Sequence, residues 1–294
     1  MDSLSGIIPY LLSGISVGGQ YALIAIGYTM VYGILRLINF AHADIFMVAG
    51  FIMVYSSTVM PLYVSLILVI ILTVSLGFAV ERFAYKPLRS APRMSIMISA
   101  IGVSYLLQNL AWYVTGGLAK VYPEIPWISD SVTAFGWPIS RVTVITPILT
   151  IVLVVALVLL LKYTKIGIAM RAVSKDFETS QLMGIKINTV ISITFIIGSF
   201  LAAVGSMLYF SSYTAVSPTV GAMPGLKAFV AAVFGGIGSV PGAVVGAFII
   251  GICENLIKAA KMTTFSDAFT FALLIIILVV KPTGLFGEKT SEKV

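Results

Sequence analysis

His42 is the one histidine among 294 residues, in the polar stretch Asn39-Phe40-Ala41-His42-Ala43-Asp44. Imidazole suits proton transfer and zinc, but a zinc site draws about four ligands, and no second nitrogen or thiolate stands near in sequence. No metal site is expected. The stretch reads as a polar turn at a membrane edge, with Asn39 or Asp44 capping the helix that follows. Cys253, the single cysteine, lies in an apolar run and can form no intrachain disulfide. No acid/base pair or metal cluster appears at a spacing that suits catalysis, so an enzyme is the least favoured class.

A second chemistry belongs to backbone groups. Gly235-Gly236-Ile237-Gly238-Ser239-Val240-Pro241-Gly242 leads into Gly246, and Gly242 with Gly246, like Gly14 with Gly18, makes a G-x-x-x-G spacing. Small residues at this spacing let helix backbones approach closely, which accounts for most of them by packing alone. Glycine and proline interrupting a span also mark broken helices, whose free amides and carbonyls can hold the two ends of a zwitterion. Gly235, Gly236 and Gly238 are accordingly candidates for a translocation pathway. Polar residues inside apolar stretches join them: Gln20, Asn39, Gln108 and Asn109. The expected spans hold almost no charge, so backbone dipoles are expected to do the recognition.

The third feature is the basic stretch 162–188. Ser174 is a candidate N-cap, Phe177 or Glu178 stands three or four residues beyond, and Gly184 sits where a helix would stop. One short helix is expected between them, with Phe177, Leu182 and Met183 apolar and Lys175, Asp176 and Glu178 charged. It is either an amphipathic connector on lipid headgroups or a docking helix for a soluble partner. The chain contains no G-x-x-x-x-G-K-[ST], so any driving nucleotide must bind another subunit; a channel or a gradient-driven carrier would lack the motif equally.

These residues must be positioned by elements that lie in lipid. The chain is 59% hydrophobic and 10% charged, with a mean hydropathy of +1.08. A water-facing surface needs about a quarter charged residues. The net charge of +7 would suggest nucleic acid in a soluble protein; here the bases sit in short loops and act as topology signals. The continuously apolar runs exclude barrel strands, which alternate. The expected architecture is all-α and polytopic, one transmembrane domain over 1–294 with eight to nine spans, short or broken in the C-terminal third. The spans are 3–35, two within 45–80 divided at Met60-Pro61, 94–119, 142–161, 187 to about 211, 226–234, about 240–253 and 268–280. Met1-Asp2-Ser3 carries no basic region ahead of the first apolar run, so that run is expected to be retained as a span. Arg36, Arg82, Lys86, Arg89, Arg93, the bases of 162–188, and Lys281, Lys289 and Lys293 of the 282–294 tail are expected on the cytoplasmic side. The balanced 115–141 loop is expected outside, with Lys258 and Lys261. Nine crossings then put the N-terminus out and the C-terminus in; eight follow if the 226–240 segment dips in and returns.

The chain also resembles a known family. Asn39-Phe-Ala-His42, Glu81-Arg-Phe-Ala-Tyr-Lys-Pro-Leu-Arg89, Leu226-Lys-Ala-Phe229, Gly235-Gly-Ile-Gly238 and Pro282-Thr-Gly-Leu-Phe-Gly287 are similar, in order and over nearly the whole chain, to the LivH-type permease of branched-chain amino-acid ABC importers. Ala43 stands where that family usually has glycine, which implies a slightly different turn before the second span, and Lys281 where arginine is common. The resemblance implies a multi-pass protein of a prokaryotic inner or plasma membrane. It also implies four kinds of neighbour: a second related permease, two ATP-binding subunits carrying ATP and Mg, an extracytoplasmic substrate-binding protein, and lipid. It favours docking for 171–184, with Arg171, Lys175, Asp176, Glu178 and Gly184 at the ATPase contact, and no cofactor or catalytic residue in this chain. Urea and short-chain amide permeases share the pattern. A gradient-driven carrier would usually need titratable groups within the membrane.

Overall fold

The computed structural model describes residues 7–287, apart from 90, 135 and 136; the expected cytoplasmic bases Lys289 and Lys293 lie outside the described residues. Among the described residues, seven helices are long and apolar enough to cross a membrane. They include α1 (Ile8–Leu35), α3 (Leu62–Val80), α4 (Arg93–Thr115) and α6 (Arg141–Tyr163). The others are α9 (Ile187–Ser212), α11 (Val240–Ala259) and α12 (Ser266–Val280), the last entered through a 3-10 turn. Two apolar helices are shorter, α2 (His42–Ser57) and α10 (Ala222–Gly235). One of these lies in the first third of the chain, so shortened helices are not confined to the C-terminal third.

The remaining elements cap the two ends of the bundle. Short helix α5 (Pro126–Ser129) and the hairpin β2 (Ser131–Ala134) with β3 (Trp137–Ser140) lie between α4 and α6. Strand β1 (Lys120–Val121) pairs antiparallel with β4 (Ala215–Val216), with Lys120 opposite Val216, and ties the α4–α6 loop to the α9–α10 loop. At the other end stand α7 (Lys165–Lys175) and α8 (Phe177–Leu182). Arg36, one residue beyond α1, donates from Nη2 to the Ser174 carbonyl of α7 at 3.2 Å, so the basic loops gather at one end.

Helix α1 is the hub, and its glycines set how closely its neighbours come. A Cβ on Gly14 would lie 2.9 Å from the Ile252 Cα, and one on Gly18 would lie 2.8 Å from the Phe248 Cα. Both G-x-x-x-G pairs serve the same helix: Gly14 and Gly18 seat α11 against α1, while Gly242 and Gly246 seat it against Gly235 and Ala231 of α10. This pairing fixes the path of the C-terminal third. Gly238 packs 3.8 Å from the Cβ position of Gly33, near the basic end of α1. From there α11 runs antiparallel to α1 toward Gly14. Segment 226–240 does not dip in and return: the chain comes in from β4, on the side of the outer loops, and α10 carries it on to the basic end.

The short helices are short because both begin inside the bundle. His42, the first residue of α2, packs its ring on Tyr28 at 5.1 Å between centroids, and Tyr28 lies about 10 Å before the end of α1 at 1.5 Å per residue. His42 is buried rather than placed in a membrane-edge turn, and the N-cap, Ala41, makes no side-chain cap. Neither Asn39 nor Asp44 caps this helix. Ala43 sits inside its first turn and not in a turn before it. The first turn of α10 lies alongside, since a Cβ on Gly221 or Gly225 would press into Ala43. Two helix N-termini thus meet within the apolar layer.

Candidate functional site

A cavity of about 430 Å³ opens where these N-termini meet α4. Ala43 and Asp44 of α2, Ser104 and Gln108 of α4, and Ala222 of α10 line it. Ser104 is the midpoint of α4, which puts the cavity near mid-depth of the bundle. Asp44 is 2% exposed. Its Oδ1 accepts from Gln108 Nε2 at 3.0 Å and its Oδ2 from the Ser104 hydroxyl. Among the described residues, the carboxylates in ion pairs are Glu81, Asp130, Glu254 and Asp267, and Asp44 is not one of them. The rest of the lining is largely apolar, with Ile38, Phe40, Ile101, Leu226 and Phe229 beside Tyr28 and Tyr105. A second cavity of about 350 Å³, between α11 and α12, is walled almost wholly by apolar side chains.

Of the candidate pathway residues, Gln108 alone lines the polar cavity. Gln20 is buried elsewhere, donating to the Leu208 carbonyl (3.3 Å) and the Ser212 hydroxyl (3.2 Å). Asn39 is buried and accepts from the Tyr85 hydroxyl at 2.9 Å. Asn109 faces outward and bonds its own helix, Nδ2 to the Tyr105 carbonyl at 2.7 Å. Gly235 packs on the carbonyl of Gly242, Gly236 on the backbone of Phe286 and Gly287, and Gly238 takes φ +99°. These three make the tight turn between α10 and α11 at the basic end.

The basic segment 162–188 folds as two helices rather than one. Thr164 caps α7, its hydroxyl accepting from the Gly167 N–H at 3.0 Å. Ser174 is inside α7 and donates to the Arg171 carbonyl, so it is not the cap. Asp176 is: Oδ1 accepts the Thr179 N–H at 3.0 Å and Oδ2 the Thr179 hydroxyl at 2.6 Å. Those bonds to the charged form hold the Asp176 carboxyl below the ordinary aspartate range. Gly184 ends the pair at φ +84°, with the Ile185 N–H on the Ser180 carbonyl. Arg171 donates back to the Lys162 carbonyl at 3.2 Å. Met170 and Val173 are buried against the bundle, while Leu182 is 87% and Met183 79% exposed.

Buried charges stand mostly at the edges of the apolar runs: Lys227 lies inside an expected span, while Asp44, Glu81 and Glu254 each lie one residue beyond one. Glu81, fully buried, pairs with Arg89 and accepts from the Ser192 hydroxyl at 2.8 Å. The whole phrase from Glu81 to Arg89, a π turn followed by a 3-10 turn, thus clamps α3 to the start of α9. Lys227 of α10 bridges Glu254 (3.0 Å) and Asp267 (2.7 Å), and Glu254 also takes Lys258 (2.7 Å) and the Tyr21 hydroxyl (3.0 Å). Glu254 and Lys258 stand at the i,i+4 spacing of one helix, while Arg89 and Lys227 meet their carboxylates across different elements, where no local spacing announces them. The signal that was present is rarity: an acidic residue inside an apolar run defaults to function or to a buried pair.

Among the described residues, no group of three His, Cys, Asp or Glu could hold a metal ion. Apolar helices packed round a mid-depth cavity that holds a buried carboxylate define a multi-pass membrane protein of the transport class. A sequence model of the family described as branched-chain amino acid transport system / permease component matches residues 10–278, and the chain belongs to that family. The high-affinity branched-chain amino acid transport system permease protein LivH of Salmonella typhimurium is 39% identical, over 97% of this chain and 96% of the relative. BraD of Pseudomonas aeruginosa, described in the same words, is 36% identical over the full length of both. The fold is shared with an inward-facing metal-chelate type ABC transporter, at a TM-score of 0.53 and 15% identity, over 93% of this chain and 87% of that one. A permease of this family works with other ABC subunits.

Proposed function

We propose that this chain is the transmembrane permease subunit of an ATP-driven importer for branched-chain amino acids, working by alternating access. It pairs with a second, related permease. Two ATPase subunits dock at its basic end, which the positive-inside rule turns to the cytoplasm, and a binding protein delivers substrate at the β1–β4 end. The observation that carries the docking is the α7–α8 pair. Its inner side is fixed to the bundle by Met170 and Val173, its caps are satisfied, and it presents Phe177, Leu182 and Met183 to the outside beside Lys175, Asp176 and Glu178. A helix held rigidly from below with its apolar tip uncovered suits transmission of a partner's movement. Arg171 braces the pair through the Lys162 carbonyl, and Gly184 lets α8 stop before α9 begins.

The test is the complete importer in proteoliposomes with Glu178→Lys or Gly184→Pro. Proline cannot take the left-handed φ of position 184. ATP hydrolysis is expected to lose its stimulation by substrate, and leucine uptake to fall, while membrane insertion persists. Undiminished uptake in both variants would remove the docking assignment.

A further inference from the structure

We propose that the cavity between α2, α4 and α10 is the amino-acid site of the membrane domain, with Asp44 taking the α-ammonium group and the wall of Phe40, Ile101, Leu226 and Phe229 taking the aliphatic side chain. This rests on the importer assignment above and says where, within this chain, substrate is held.

A carboxylate at membrane depth is tolerated only where it is paired or lines a space that holds water or ligand. Asp44 has neutral donors on both oxygens, from Gln108 and Ser104, and no cation among the described residues. By contrast Glu81, buried as deeply, has Arg89, and Glu254 has two lysines. Asp44 is thus the buried carboxylate whose charge is left for something else, and it lies on a cavity wall. The hydrogen bonds from Gln108 and Ser104 orient it without neutralising it.

The positive ends of two helices also reach this cavity. Ala43 and Ala222, in the first turns of α2 and α10, both line it. Each helix N-terminus carries about half a positive charge. Those two ends, one of them the end of Asp44's own helix, leave the pocket close to neutral overall but strongly dipolar. That is the field of a zwitterion with its signs reversed. The volume, about 430 Å³, lies within the usual range for sites of small molecules, roughly 300–1,000 Å³. The apolar wall excludes side chains that would bring an unpaired charge. Free inorganic ions gain little in a site balanced this way.

The experiment uses the purified importer in nanodiscs without its binding protein, titrated with radiolabelled leucine and with 4-methylpentanoate, which keeps the carboxylate and side chain but lacks the ammonium group. The unaltered importer is expected to bind leucine and to reject the acid. Asp44→Asn is expected to weaken leucine on the order of a hundredfold, the scale for removing one partner of a buried charge pair, and to lose the preference over the acid. Leu226→Trp fills the cavity from a half-exposed position without touching the carboxylate, and is expected to abolish leucine binding. It serves if Asp44→Asn fails to fold. Unchanged leucine affinity in a folded Asp44→Asn, or in Leu226→Trp, overturns the site. If the unaltered importer, with its binding protein in proteoliposomes, moves leucine with ATP yet binds none in nanodiscs, the site falls and the importer assignment stands. If it moves no leucine even in proteoliposomes with its binding protein, the importer assignment itself is wrong.

Discussion

A buried side chain in lipid is specified by its partner, and partners distant in sequence are the part of this molecule that its sequence hides. Gln108 was legible as a polar residue in an apolar run. Asp44, immediately before an uncharged run, passes for a cap, because nothing local says that its oxygens meet Ser104 and Gln108 some sixty residues on. Asp176 shows the reverse case, a residue whose partner is three positions away. Its carboxyl is held below its ordinary range by the Thr179 hydroxyl and N–H, so the cap is complete above the unfolded-state pKa and is lost only as pH falls through the lower folded value. Hydrogen exchange of the α8 amides is expected to stay constant from pH 5 to 8 once corrected for intrinsic rates. It should rise in Asp176→Ala and much less in Asp176→Asn, since asparagine caps as well as aspartate. A second prediction at this scale concerns Gly225, where a methyl would fall on the Ala43 methyl, far inside van der Waals distance, with the Tyr28 hydroxyl 3.3 Å away. Gly225→Ala is expected to lower stability by about 1–3 kcal/mol, the usual cost of overpacking. Ala43→Gly in the same chain should restore most of it in thermal unfolding, and no recovery would show that the strain lies elsewhere.

At the scale of elements, uninterrupted apolar length was enough to find the seven long helices, because about 20 such residues have no other stable place than across the hydrocarbon. The two short helices were found as apolar segments but not as helices starting inside the bundle. Their starts depend on what they meet, His42 on Tyr28 and Gly221 on Ala43. The α7–α8 break was missed because Ser174 and Asp176 are both acceptable caps in sequence, and only the orientation of the side chain decides between them. Helix α10 also needs something at its other end. Its last carbonyls, Phe234 and Gly235, are taken by the N–H groups of Leu285 (3.0 Å) and Phe286 (2.9 Å), from the segment that follows α12. Gly284 makes the approach possible, at φ +76° with a would-be Cβ 2.6 Å from the Gly236 Cα. Gly284→Ala imposes a left-handed backbone cost of about 1–2 kcal/mol and a clash besides. It is expected to loosen the clip and lower the melting temperature in nanodiscs. Faster exchange at the 234–238 amides should accompany the change; unaltered exchange there would mean that α10 ends without help from this segment.

Over the whole molecule, the C-terminal third is held to α1 by two kinds of contact that respond differently to substitution. The glycine seam between α1 and α11 acts by closeness alone. Beside it stands the charge cluster Lys227, Glu254, Lys258 and Asp267, which joins α10, α11 and α12 and reaches α1 through the Tyr21 hydroxyl. Lys227 and Glu254 are almost fully buried, at 8% and 4% side-chain exposure, while Asp267 is 45% exposed. Taking one charge from a buried pair leaves the other without compensation and costs about 3 kcal/mol or more, whereas a half-exposed partner is screened. Glu254→Gln is therefore expected to destabilise by about 3 kcal/mol and Asp267→Asn by less than about 1 kcal/mol. The pair as such need not be stabilising, because two desolvated ions can cost as much as their attraction returns. Lys227→Met with Glu254→Gln removes both charges at nearly constant shape, and should recover most of the loss seen with Glu254→Gln alone. Thermal unfolding of the three variants in nanodiscs separates these effects. A double variant no more stable than Glu254→Gln would mean that Lys227 is not the stranded charge, and that the α10–α11 junction is held by packing against Gly242 and Gly246.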